Sequence, residues 1–256
     1  MTVEQFRERL LVHFDEFRRS LATDAGDWTI KGFIDVYKSI YAISTDTKVM
    51  SKIIELMLFP IISSFSTKHG YKMMLSEQQN YYPDISFIAP NGTKIALDLK
   101  STYRKSEKMV SGFTLGAFTG YFRRRDSTKN ITFPYKEYAA HLVLGVIYSR
   151  NEEASEEVRV YRLDDLQSIV SVAKDFDFIL QEKWRIASDR PGSGNTKNIG
   201  SATNIQALLT GNGPFAAYGP KVFDDYWMNY LTKDMARAID SDVPYRNLEG
   251  YCKWRK

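Results

Sequence analysis

Pro83-Asp84, followed by Asp98-Leu99-Lys100, is the stretch whose residue types and spacing say most about chemistry. In a strand, alternate residues share a face. Ile95, Leu97 and Leu99 then turn to one side, suited to a core, while Ala96, Asp98 and Lys100 turn to the other. Asp98 and Lys100 point the same way, about 7 Å apart along the backbone. A carboxylate that helps hold Mg²⁺, beside an ammonium that stabilises developing charge, suits hydrolysis of a phosphodiester. The competing reading is a solvated strand edge with an ordinary surface ion pair, and a turn at Pro83-Asp84.

The turn between these residues separates the two readings. Pro90-Asn91-Gly92-Thr93 is a hairpin signal. A two-residue turn centred on Asn91-Gly92 would place Asp98 opposite Ile85 and send Asp84 to the other face. A three-residue loop or a bulge places Asp84 opposite Asp98. Only that register lets both carboxylates share a metal, so the catalytic reading predicts an odd-length loop or a bulge.

Composition narrows the partners. The chain has 256 residues, 43% of them hydrophobic, which is enough for a substantial core. Lys and Arg number 35 against 31 Asp and Glu, a net charge of +4, so this is not a bulk polycation. A nucleic-acid partner would need local positive charge. Arg104, Lys105, Lys108, Arg123, Arg124 and Arg125, between Lys100 and Lys129, supply it, opposed only by Glu107 and Asp126. Cys252 is the sole cysteine, and His13, His69 and His141 are scattered. Neither type builds a metal site here, which leaves carboxylates to hold any metal. The charged residues 1–20 are neither a signal peptide nor a membrane span, so a soluble intracellular protein without membrane association is expected.

Further candidates surround the central pair. Glu55 lies one residue from the apolar stripe of a predicted helix, either reaching a metal site or simply solvated. Gln78-Gln79-Asn80 is an amide cluster just before Asp84. Gly192-Ser193-Gly194-Asn195-Thr196 combines exposed backbone with an Asn able to pair with adenine and a Thr methyl able to meet thymine. It lacks the Gly-Lys-Ser/Thr of a P-loop.

The elements that position these residues read as follows. Val3, Phe6, Leu10, Phe14, Phe17 and Leu21 form one face of an amphipathic helix. Asp46 caps a second helix, with Val49, Ile53, Leu56 and Met57 on one face, a kink or split at Pro60, and an end at His69-Gly70. Strands are expected at Tyr71–Leu75, Asp84–Ala89, Lys94–Lys100, Ala139–Ser149, Val158–Tyr161 and Phe176–Ile186. A short helix is expected around Leu163–Val170. Residues 189–200 read as a surface loop, followed by helical patches at Ile205–Leu209 and Phe223–Leu231. The simplest account is one α+β domain, residues 1–256.

Several segments, in order and at near-constant spacing, resemble the EcoRV family of type II restriction endonucleases, in the Pro-Asp…Asp/Glu-x-Lys nuclease class. They are Asp46-Thr47-Lys48-Val49, Lys68–Tyr71, Gln78–Asn80 with Tyr82-Pro83-Asp84, Ile95–Lys100, Phe113–Gly116, Thr128–Ile131 and Gly192–Gly200. The resemblance is densest from Asp46 to Gly200. It implies a restriction-endonuclease-like core: a mixed central β-sheet flanked by helices, with DNA-recognition loops. Dimerisation and N-terminal helices would occupy about residues 1–70, the catalytic hairpin about 71–105 and the recognition loop about 188–200.

The roles it implies are specific. Asp84 and Asp98 would hold Mg²⁺, with Glu55 auxiliary, and Lys100 would be the catalytic lysine. Gly192, Ser193, Gly194, Asn195 and Thr196 would read bases in the major groove. Gln78, Gln79 and Asn80 would meet the minor groove and backbone, with Thr47, Lys48, Thr102, Lys129, Lys197 and Asn198 near phosphates. The implied enzyme is a cytoplasmic homodimer cutting double-stranded DNA at a short palindrome, GATATC, to blunt ends with 5′-phosphates. A cognate DNA methyltransferase would complete the restriction-modification system. Two alternatives are a structure-specific repair or recombination nuclease and a catalytically inactive DNA-binding homologue.

Overall fold

The computed structural model describes residues 2–78, 80–154, 159–192 and 197–256. Its centre is a five-stranded mixed sheet. Strand β5 (Lys94–Tyr103) pairs in parallel with β7 (Tyr138–Arg150), from Lys94 opposite Tyr138 to Tyr103 opposite Tyr148. On one side β5 continues antiparallel to β4 (Ile85–Ile88) and then β3 (Lys72–Leu75). On the other, β7 pairs antiparallel with β9 (Ala173–Glu182). The mixed sheet matches expectation.

Both sheet faces are covered, and alternation along the strands shows how. Ile95 and Leu97 of β5, with Leu142, Leu144, Val146 and Tyr148 of β7, bury into a core shared with three helices. These are α1 (Val3–Leu11), α2 (Phe14–Leu21) and α3 (Thr47–Lys68). Ala96, Val143 and Ile147 bury into a second, aromatic-rich core on the opposite face. It is completed by β6 (Thr114–Ala117), β10 (Ala187–Pro191) and β11 (Asn198–Ser201), which form a sheet of their own. The helices α5 (Ile205–Thr210), α6 (Pro220–Asn229), α7 (Lys233–Ala238) and α8 (Leu248–Trp254) close it.

Several expectations from the sequence need correction. The N-terminal helix is two helices, because the chain turns at Val12-His13. Phe6, Leu10, Phe17 and Leu21 still share one buried core. In α3 the Asp46 carboxylate accepts from the Lys48 and Val49 amides, as expected. The buried stripe, however, is Met50, Ile54, Leu58, Ile61, Ile62 and Phe65, while Val49 and Leu56 are exposed. A 22-residue helix with mean hydropathy 1.5 carries apolar residues on every side. Periodicity alone therefore chooses its inward face poorly. The same length and apolarity would let α3 cross a membrane, but its stripe is spent on the core under the sheet.

Pro60 does not split α3. It lies on the exposed face, where the Leu56 carbonyl it deprives of a partner is on the solvent side. The strand expected over Phe176–Ile186 ends at Glu182, and Lys183–Ile186 form one helical turn, α4. Around Leu163 the helix is a 3₁₀ segment, Leu163–Ser168. Residues 189–200 are not wholly a loop. Their flanks are β10 and β11, which pair with each other, β11 pairing also with β6. Val158 lies outside the described residues.

Candidate active site

The hairpin that carries Asp84 and Asp98 has the odd loop. Ile85 pairs with Leu97, Ser86 with Ala96, Phe87 with Ile95 and Ile88 with Lys94. One step further, Asp84 lies opposite Asp98. The Ala89 amide donates to the Thr93 carbonyl at 2.9 Å and the Gly92 amide to the Ala89 carbonyl at 2.8 Å. Pro90, Asn91 and Gly92 thus form a three-residue loop. Pro90 fixes the first bend, and Gly92 takes φ 83°, a conformation costly for any residue with a Cβ.

This register gathers the charges. Lys100 Nζ lies 3.3 Å from Asp84 Oδ2 and 3.5 Å from Asp98 Oδ2. The Leu99 amide donates to Asp84 Oδ2 at 2.7 Å, and the Asp84 amide to Asp98 Oδ1 at 3.4 Å. Asp98 is buried in the sheet, while Asp84 and Lys100 are partly open. Burial first, and the Asp98 charge second, raise the Asp84 carboxyl above the usual aspartate value, against the pull of Lys100 and the Leu99 amide. Burial opposes the charge on Lys100, but Asp98 and Asp84 outweigh it and hold the ammonium above the usual lysine value. Two crowded carboxylates form a site that gains from a further cation.

The donor set fits a hard divalent ion. Among the described residues no three His, Cys, Asp or Glu side chains are grouped closely enough to hold a metal. Two aspartate carboxylates remain. That pattern suits an ion that keeps water and substrate phosphate oxygens as its other ligands, the habit of Mg²⁺.

The carboxylates open into a cleft of about 860 Å³. Thr47, Lys48, Glu55, Asn80, Thr102 and Asn198 line it, as do Asp84, Asp98 and Lys100. The structure therefore brings nine of the thirteen expected residues that it describes to one place. Glu55 faces the same cleft from α3, with its carboxylate 2.8 Å from Lys52 Nζ. Lys129 lines an adjoining cleft of about 520 Å³ with Arg123 and Arg124. Gln78 and Lys197 line neither cleft. Gly192 follows β10, and its amide donates to the Asn198 carbonyl at 3.0 Å. Gln79, Ser193, Gly194, Asn195 and Thr196 lie outside the described residues.

The positive segment divides once its partners are known. Arg104 bonds Asp177 and the Asp175 carbonyl, Arg123 bonds the Tyr230 carbonyl, and Arg125 pairs with Asp224. These three serve the fold. Lys105, Lys108, Arg124 and Lys129 remain free of ion pairs among the described residues. The cleft wall also holds Tyr82, Tyr121 and Asn130, which sequence reasoning did not single out as site residues. Tyr82 and Asn130 fall within the quoted motifs, but nothing local marks Tyr121, which reaches the site through the tertiary fold.

Two carboxylates and a lysine on paired strands of one hairpin, at the floor of an open cleft, define a nuclease of the Pro-Asp…Asp-x-Lys class. The family model described as Restriction endonuclease EcoRV matches residues 24–256. The chain is 37% identical over 230 residues to the Type II restriction enzyme EcoRV of Escherichia coli, covering 89% of this chain and 91% of that one. It belongs to the EcoRV family of type II restriction endonucleases and is a site-specific deoxyribonuclease. Among solved structures it aligns with the NlaIV restriction endonuclease at 11% identity and TM-score 0.42, covering 99% of this chain and 96% of that one.

Proposed function

We propose that this endonuclease is a Mg²⁺-dependent homodimer that cuts both strands of a short palindrome, GATATC, to blunt ends with 5′-phosphates. The observation that carries the chemistry is the Asp84–Asp98–Lys100 cluster at the cleft floor. The choice of site rests on the Gly192–Thr196 motif and its resemblance to the family's recognition loop. Nucleases of the family are Mg²⁺-dependent.

Asp84 and Asp98 hold the cation through their carboxylates, with Glu55 as an auxiliary acid on the facing wall. When bound, Mg²⁺ polarises the scissile phosphate and makes a water more acidic. Lys100 stabilises the negative charge that grows on the phosphate during in-line attack. The 3′-oxygen leaves and the phosphate stays on the 5′ side. Thr47, Lys48, Thr102, Lys129, Lys197 and Asn198 contact or adjust phosphates, and Gln78, Gln79 and Asn80 approach the minor groove. Ser193, Gly194, Asn195 and Thr196, with Gly192, read bases.

A palindrome calls for two-fold symmetry, hence two copies with one site each. The surface suited to a second copy is the small sheet of β1 (Gly32–Ile34), β2 (Ser39–Ala42) and β8 (Val160–Arg162). It exposes Phe33, Ile34, Tyr41 and Val160, an apolar group that is costly to leave in water. Residues 1–256 act as a single endonuclease domain. The enzyme works in the cytoplasm alongside a methyltransferase that protects host sites.

Digestion of unmodified plasmid, followed by sequencing of the ends, tests this reading. Discrete fragments ending in blunt GAT/ATC junctions are expected. Fragments ending at a different palindrome would overturn the assigned site, and unspecific smears would overturn the sequence-specific reading.

A further inference from the structure

Lys183 opens the helical turn α4 and is 2% exposed. Its ammonium has no ion-pair or hydrogen-bond partner among the described residues. It stands 4.0 Å over the Tyr82 ring and 5.8 Å over that of Tyr135. Gly116 passes so near that a Cβ there would lie 3.6 Å from Nζ. Burial brings this lysine down to about 8; Asp98 partly offsets that, and Lys100 adds to it. A buried ammonium that meets two aromatic rings and, among the described residues, no ion-pair or hydrogen-bond partner is expensive, and Leu or Met would fill the same space more stably.

Tyr82 is the nearer of the two rings. It immediately precedes Pro83-Asp84. Its hydroxyl lies 2.8 Å from His141 Nδ1, and its ring stacks on Tyr121 at 5.1 Å. Its amide donates to the Asn130 carbonyl at 3.1 Å, and its carbonyl accepts from the Thr132 amide at 2.9 Å. Its rim and backbone are bonded, Tyr121 and Tyr135 stack on the ring, and the Lys183 ammonium lies 4.0 Å from its centroid. Asp84 follows two residues on, with its Oδ2 receiving the Leu99 amide.

We propose that Lys183 is a positioning residue for the nuclease, its buried ammonium holding the Tyr82 ring and, through it, the Tyr82-Pro83 step that presents Asp84. The catalytic consequence rests on the Asp84–Asp98 cation site proposed above; the anchoring itself does not. Catalysis is sensitive to displacements of about 1 Å, so loosening this step costs rate even though it relieves a buried charge.

The test compares wild type, Lys183→Met, Lys183→Arg, Tyr82→Leu and the Lys183→Met/Tyr82→Leu double variant as complete proteins. Amide hydrogen exchange in the free protein and single-turnover cleavage of plasmid at saturating Mg²⁺ are read in each. Lys183→Met is expected to lose roughly ten- to a hundredfold in cleavage rate. The Leu99 and Thr132 amides should exchange faster in it while global stability holds or rises. Lys183→Arg should recover most of the rate, and the double variant should fall no further than Tyr82→Leu. Wild-type rate and unchanged Leu99 exchange in Lys183→Met would overturn the proposal, as would additive losses in the double variant. Should Lys183→Met not fold, the Arg variant and Tyr82→Leu decide: faster Leu99 exchange in Tyr82→Leu alone supports it, and unchanged exchange there overturns it. Failure of the wild type to cleave would instead count against the function proposed, while the exchange measurements still judge the anchoring.

Discussion

The Asp84 amide reaches Asp98 Oδ1 at 3.4 Å across the hairpin, and Lys100 Nζ spans both carboxylates at 3.3 and 3.5 Å. Backbone register alone makes this meeting possible, because the two aspartates come from different strands. Among the described residues, Lys100 is the one ammonium touching both. Lys100→Ala is expected to lower the single-turnover cleavage rate by roughly 10²–10³-fold, the scale of removing one preorganised stabiliser of transition-state charge. Duplex affinity, measured by fluorescence anisotropy, should stay within a few-fold. A variant that cleaves like wild type would remove Lys100 from the chemistry.

The loop that fixes this register depends on Gly92 at φ 83°, where a Cβ would meet nothing within 4 Å. Any cost of a side chain there is therefore conformational rather than steric crowding. Gly92→Ala should destabilise by about 1 kcal/mol, read as a lower urea midpoint at unchanged slope. Gly92→Asn should cost less, since Asn tolerates this region better. Equal midpoints for all three proteins would contradict the turn conformation.

Thr102 lines the cleft, yet its Oγ1 is buried with no hydrogen-bond partner among the described residues. A buried hydroxyl without a partner costs stability until a water or phosphate oxygen reaches it. Thr102→Val is expected to leave stability unchanged or raise it by up to about 1 kcal/mol, while weakening duplex binding several-fold. A melting temperature lowered by several degrees would show that the hydroxyl is already satisfied.

Lys183 also gives a pH dependence of stability. Its folded value of about 8 lies below the ordinary lysine value of 10.5. The folded protein therefore sheds this proton before the unfolded chain does. Between these values the unfolded chain binds more protons, so stability rises with pH. Below about 8 the full burial cost is present. Lys183→Met should be more stable than wild type by about 3 kcal/mol near pH 7. That margin should shrink as pH climbs toward 10.5. Denaturant titrations at several pH values check it, and a margin that does not vary with pH would contradict a buried, proton-shedding lysine.

Local signals carried the centre of the site further than its surroundings. The alternation of Ile95, Leu97 and Leu99 against Asp98 and Lys100 is a property of any strand, and the parity argument for Asp84 needed only the turn. The Asp46 cap was equally local. What the chain order hid was everything decided by distant partners. Arg104, Arg123 and Arg125 looked like a DNA-facing field but are bound to Asp177, Tyr230 and Asp224. The flanks of residues 189–200 looked like loop because their strand partners are each other and β6. Lys183 carried no motif at all, and only folding places it over Tyr82.

Metal-dependent cutting through Asp98 is measured with Asp98→Ala beside wild type, on plasmid carrying GATATC. Cleavage is followed in Mg²⁺ and after chelation by EDTA, and duplex binding is measured in parallel. Full linearisation by wild type is expected in Mg²⁺, none in EDTA, and none by Asp98→Ala under either condition, with its duplex binding retained. Wild-type cleavage by Asp98→Ala, or by wild type without a divalent cation, would contradict it.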